Sequence, residues 1–180
     1  MKNKKLIILI YGLWTMVYGL SGCGYSTKGF VYKEDRIMIK PVVNKVDITS
    51  ESRRNSNYTV SPVLLEKRLT NTIVNKFNVF GYLKVVSVEE NALVLSCNIT
   101  EYQKETLRYT DSKDVQEQRL RLVVMTKLID SDGEVIKEKQ VIGETSYYLS
   151  GAQQTTEENA QTDIIDDTAR RILEAVVEEW

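Results

Sequence analysis

The chain has no histidine, two cysteines and two prolines among its 180 residues. Without histidine it lacks the commonest general base, the commonest zinc ligand and the group that activates serine or cysteine nucleophiles. No GxSxG turn, P-loop or glycine-rich dinucleotide turn occurs, nor any internal repeat or low-complexity tract. Asp130-Ser131-Asp132-Gly133-Glu134 has the residue types of a calcium loop but not its spacing or terminal glutamate, and is expected to be a turn. Asp166 with Asp167 and Glu89 with Glu90 do not make a hydrolase's carboxylate pair. Adjacent residues on a helix do not face each other, and the second pair is expected in a turn, so both are read as solvated charge. The sequence therefore predicts no catalytic residue, no metal site and no cofactor. Basic and acidic residues nearly balance, 24 against 25, which argues against a general nucleic-acid binder.

Long apolar runs are equally scarce. One is present, Leu6 to Leu20, and it follows the basic start Lys2, Lys4 and Lys5. Its length, about 15 residues, falls short of the roughly 20 that a membrane-spanning helix needs, and the layout is that of a secretory signal. The run closes on Leu20-Ser21-Gly22-Cys23, which resembles the bacterial lipobox, where small residues before a cysteine admit the signal peptidase after the thiol is diacylated. Cys23 is thus the predicted lipidation site and first mature residue. Each buried methylene contributes about 0.8 kcal/mol, so several acyl chains hold a folded domain on a bilayer. Gly24, rather than aspartate, at the second mature position favours outer-membrane sorting in a Gram-negative bacterium. The expected organisation is a signal peptide over 1–22, a lipidated tether over 23–35 and one domain over 36–180. Loss of residues 1–22 removes three lysines and no acids, which leaves a net charge near −4. Cys97, without a partner once Cys23 is acylated, lies in the alternation Leu93, Leu95, Cys97, Ile99 and is expected to be a core residue.

Along the mature chain, Ile37, Ile39 and Val42 predict a first strand, with Pro41 marking its end or an edge. Asn44 to Val60 is a polar connection, longer than most within compact domains. Ser61-Pro62 reads as a helix N-cap with proline at the first position, and Leu65, Leu69, Ile73 and Phe77 form one apolar stripe ending near Gly81. Four β-rich segments follow: Leu83 to Val88, Ala92 to about Arg108, Val115 to Asp130, and Glu134 to Leu149. Thr155-Thr-Glu-Glu158 has capping-box spacing and opens a last helix striped by Ile165, Ala169, Ile172, Val176 and Trp180.

Asp132-Gly133 predicts a two-residue type I′ hairpin turn, with Ser131 opposite Glu134. That register pairs Lys127 with Glu138 and Arg121 with Glu144 on one face, and Leu122 with Gly143 and Val124 with Val141 on the other. The first face is expected to meet solvent or a partner, the second to meet helices. Nearer the turn, Leu128 with Lys137 and Thr126 with Lys139 predict a basic tip projecting beyond the core, uncovered by helix. Two striped helices and a sheet with one apolar face make an α+β two-layer sandwich, both helices on one face of a four- to five-stranded mixed sheet.

In order and spacing, "CGYSTKG", "IMIKPVVNKV", "LEKRLTNTIVNKF", "ALVLSCNITEY" and the closing "YYLSGAQQTTEENAQTDIIDDTARRILEAVVEEW" resemble the LptE family of lipopolysaccharide-assembly lipoproteins. The resemblance implies a non-enzymatic outer-membrane lipoprotein that plugs the β-barrel protein LptD, assists its folding and helps lipopolysaccharide reach the outer leaflet. If it holds, Lys127, Lys137 and Lys139 are the candidate lipopolysaccharide-binding residues. The alternative is a lipoprotein that regulates a peptidoglycan synthase or builds a secretion pore. About a dozen residues between Cys23 and Arg36 make a short tether, which favours the barrel plug.

Overall fold

The computed structural model describes residues 32, 34–46, 62 and 64–178. Their elements run β1 (Arg36–Ile39), β2 (Val43–Asn44), α1 (Leu65–Phe80), β3 (Lys84–Val86), β4 (Leu93–Tyr109), β5 (Val115–Ile129), β6 (Val135–Tyr148) and α2 (Glu157–Val177). The sheet has the order β3-β1-β4-β5-β6, with β2 also paired to β4. β1 is parallel to both neighbours, while β4, β5 and β6 are antiparallel. The α+β class and mixed sheet are as expected, but the sheet has six strands rather than four or five. Pro41 is the reason, since it brings no N–H to a ladder. Pairing to β4 continues on either side of it, through Lys40 N–H to the Leu95 carbonyl (2.9 Å) and Lys45 N–H to the Ile99 carbonyl (2.8 Å). The first strand is thereby cut in two, and β1 lies inside the sheet rather than at an edge.

The helix stripes lie where periodicity places them. Leu65, Leu69, Ile73 and Phe77 are fully buried, and α1 ends at Gly81 (φ 76°), whose N–H reaches the Phe77 carbonyl at 3.1 Å. Its start differs from expectation. Leu65 N–H closes a turn on the Pro62 carbonyl (3.2 Å), which leaves Leu64 as a left-handed cap (φ 61°) with no side-chain bond. The helix therefore begins at Leu65, not at Pro62, and Ser61 lies outside the described residues. The cap of α2 is also displaced by one residue, because Thr156, not Thr155, accepts the Asn159 N–H (3.2 Å). Ile165, Ala169, Ile172 and Val176 are buried as predicted, joined by Ala160, Ile164, Thr168 and Ala175. The stripe is broad because α2 packs against α1 as well as β5 and β6. Trp180 and residues 47–60 of the polar connection lie outside the described residues.

The β5–β6 register matches the sequence-derived one at Lys127↔Glu138, Arg121↔Glu144, Leu122↔Gly143 and Val124↔Val141. The turn producing it is different. Asp130 N–H bonds the Glu134 carbonyl (3.0 Å), Gly133 N–H bonds the Asp130 carbonyl (3.2 Å), and of Asp132 and Gly133 only the glycine has positive φ, at 87°. This is a longer loop with a left-handed glycine, not a type I′ turn. Ile129 pairs with Val135, and a bulge between Leu128 and Ile129 then restores the predicted register. Leu93, Leu95, Cys97 and Ile99 are buried, and burial pushes the Cys97 thiol up to about 12.

Candidate functional site

Both described helices lie on the side of Leu122, Val124 and Val141, and among the described residues no helix packs on the opposite face of β4–β6. Cross-strand rows on that face run Gln103–Arg121–Glu144, Ser96–Lys127–Glu138 and Asn98–Met125–Gln140. Lys127 Nζ lies 3.1 Å from Glu138 Oε1, Arg121 Nε lies 3.5 Å from Glu144 Oε1, and Gln103 donates to Glu101 at 3.0 Å. The result is a polar surface of paired charge, with Val123 and Ile142 set between the rows. Among the described residues, no helix is long and apolar enough to cross a membrane, and no group of Cys, Asp or Glu is arranged to hold a metal ion.

The three lysines singled out from the sequence do not converge. Lys127 is on the helix-free face, whereas Lys137 and Lys139 belong to the helix-covered one. The expectation that the tip carries no helix is corrected. Leu128 and Thr126 are buried, and Lys137 Nζ donates to the Glu178 carbonyl at the C-terminal cap of α2. At 1.5 Å per residue the 21 residues of α2 span about 32 Å, enough to run from Lys104, which holds Glu157 at 2.7 Å, to the hairpin tip. Lys139 is exposed and borders an open hollow of about 280 Å³ with Gln140, Ile142, Arg171, Glu174 and Glu178. Cys23 lies outside the described residues.

Asp166 is exposed, as the sequence suggests, but Asp167 is not. Asp166 turns to α1 and meets Lys76 Nζ at 2.7 Å. Asp167 turns to β6 and accepts from Arg170 (2.6 Å), Arg171 (2.7 Å) and the Glu144 N–H (3.3 Å). Burial pushes its pKa up, but these three donors prevail and hold it below the usual carboxylate range. Asp167 thereby satisfies a backbone donor on the edge strand, a place where unpaired groups invite a further strand. Arginines three and four residues after Asp167 were the legible signal, while its bond to β6 had none. Glu89 is likewise paired, with Lys40 at 2.9 Å.

No curated protein matches the chain. Among solved structures, lipoprotein B from Nitrosomonas europaea is 17% identical, and the match covers 86% of this chain and 91% of that one with a TM-score of 0.54. Rare lipoprotein B from Shewanella oneidensis is 14% identical over 76% and 91% of the two chains, with a TM-score of 0.46. The likeness to the Nitrosomonas europaea protein concerns the fold alone. The model of the family described as "LptE: Lipopolysaccharide-assembly" matches residues 45–177, that is, α1, β3 to β6 and α2 but not β1 or the segment around Cys23. A match over most of the chain assigns the protein to a family: it belongs to the LptE lipopolysaccharide-assembly family.

Proposed function

We propose that this protein is an outer-membrane lipoprotein, anchored through Cys23, that plugs an LptD-like β-barrel and helps lipopolysaccharide reach the outer leaflet. Family membership supports the assembly role. The observation that carries the plug is the sheet face that no described helix covers, where Lys127–Glu138 and Arg121–Glu144 present paired charge. Such a face suits the polar interior of an outer-membrane barrel. In this reading Lys139, exposed beside the hollow at the end of α2, is the lysine placed to meet lipid phosphate. Lys127 and Lys137 are held by Glu138 and Glu178.

Extraction of the full-length protein in mild detergent tests the partner, and an outer-membrane barrel is expected to copurify. Arg121→Glu with Lys127→Glu sets like charges opposite Glu144 and Glu138. This variant should lower barrel recovery while costing the fold little, because exposed pairs contribute about 0–1 kcal/mol each. Recovery of a peptidoglycan synthase or secretion-pore subunit, with no barrel, sinks the reading.

A further inference from the structure

β6 ends the strand order, so among the described residues one of its edges has no neighbouring strand. The backbone groups on that edge belong to alternate residues. Glu144 N–H turns outward to Asp167 (3.3 Å), and the Tyr148 carbonyl turns outward to Thr155 N–H (3.0 Å). Leu149 N–H instead reaches the Gln116 carbonyl of β5 (2.9 Å), and the Lys139 carbonyl accepts from Thr126 Oγ1 of β5 (2.7 Å). Because the register is unbroken from Lys137 to Tyr148, the same alternation turns the N–H and carbonyl groups of Glu138, Gln140 and Ile142 outward. The chain protects this edge unevenly. Toward Tyr148 it is covered by Asp167 and by Gln154, which bridges to Tyr148. From Glu138 to Ile142, among the described residues, nothing bonds the outward groups. The hollow between β6 and α2 lies beside this open stretch.

We infer that the open edge from Glu138 to Ile142 is a docking site for an extended segment of the barrel protein, which adds to β6 as a further strand. The inference rests on the barrel partner of the proposed function. Strands of a closed barrel wall have no free edge, so the segment comes from a part of that protein outside the wall, such as a loop folded into the lumen. Two observations select this occupant. The rows Ser96–Lys127–Glu138 and Asn98–Met125–Gln140, on the sheet face that the proposed function turns to the barrel, end on this edge, and an added strand continues that surface without a break. A second copy of this chain fits poorly: antiparallel self-pairing about Gln140 sets Glu138 opposite Ile142 and Lys139 opposite Val141, and gains no charge pair. Main-chain bonds supply the affinity in strand addition, and pockets for alternate side chains supply the specificity. Side chains of the added strand on the helix side enter the hollow of about 280 Å³, beside Arg171 and Glu174 of α2. The pairing uses only backbone groups of β6 and leaves the Lys139 side chain for the role proposed above.

Hydrogen exchange resolved to single amides, on the complex extracted in mild detergent and on the protein alone, tests this. The amides of Gln140 and Ile142 should slow by about tenfold or more in the complex, while those of Val141 and Gly143, turned toward β5, change little. Gln140→Pro removes one outward N–H and no β5–β6 bond, a change that an edge strand tolerates. It should lower barrel recovery severalfold and leave the melting temperature near wild type. Ser146→Pro makes the same change on the half of the edge already covered and should keep the barrel. A complex in which Gln140 and Ile142 exchange as in the free protein overturns strand addition and leaves the barrel partner standing. Equal loss of the barrel in the two proline variants overturns it as well, and if Gln140→Pro unfolds, the exchange measured on wild type decides. Slow exchange in the protein alone, with a doubled mass, gives the edge to a second copy and overturns the partner segment. If no barrel copurifies with wild type, the proposed function fails and this inference falls with it.

Discussion

Asp167 shows how three hydrogen bonds outweigh burial at a single carboxylate. Its folded pKa lies below the unfolded value near 4, so its contribution to stability is fully present above that value and is lost as pH falls through the folded pKa. Asp167→Asn should therefore cost about 1–2 kcal/mol at neutral pH, and the difference from wild type should shrink toward pH 3. Thermal melting of both proteins from pH 7 to pH 3 checks this, and a gap that does not change with pH would show that charge is irrelevant there. Cys97 is the converse case. Only burial acts on it, so the thiol stays protonated and behaves as a small core side chain, as its place in the alternation of β4 suggested.

In the β5–β6 hairpin, strand register was legible in the sequence and turn geometry was not. Alternation of side chains fixes which residues share a face, and a slip of one residue would have set Lys127 opposite Lys137 or Lys139 and Arg121 opposite Gly143 or Thr145, losing both charge pairs. The bulge between Leu128 and Ile129 absorbs the longer turn, which is why a wrong turn type led to the right pairing. The pairing of Leu122 with Gly143 was predictable, but the need for glycine was not, because it arises from α2. A Cβ built at position 143 would lie 2.0 Å from Thr168 Oγ1 and 3.1 Å from Thr168 Cα. Gly143→Ala should destabilise the protein by about 2–3 kcal/mol through overpacking of α2 on β6. Adding Thr168→Ala should restore only part of this, since Thr168 Cβ itself would be 3.0 Å away. Urea midpoints at constant slope provide the measurement, and wild-type stability in Gly143→Ala would mean that α2 can shift freely.

For the whole molecule, the reach of α2 decides what the basic tip can do. Lys137 sits at the C-terminal end of that helix, where the backbone dipole and Glu178 favour a cation. Lys137→Glu should thus lower the melting temperature, whereas Lys139→Glu should leave it near wild type. Under the proposed function, Lys139→Glu should instead weaken binding of purified lipopolysaccharide, most clearly at low salt, where surface charge is least screened. Unchanged binding at low salt would remove Lys139 from any lipid-contact site. The register read from the sequence already set Lys127 on the opposite face from Lys137 and Lys139, and the sheet has the same pairing.

Contiguous residues determined much of this protein by themselves. Absence of histidine removed the usual catalytic arrangements, period-four stripes marked α1 and α2, and period-two alternation with opposite charges set the hairpin register. These are local properties, carried within one helix or two strands joined by a short loop. Tertiary structure alone decided that β1 lies between β3 and β4, that Pro41 divides a strand pairing with β4, and that α2 extends over Lys137. Each of those contacts joins segments far apart in the chain, and the closure entropy of a long loop says little about which partner it brings together. Packing of the buried faces makes that choice, and it depends on the shapes of several elements at once.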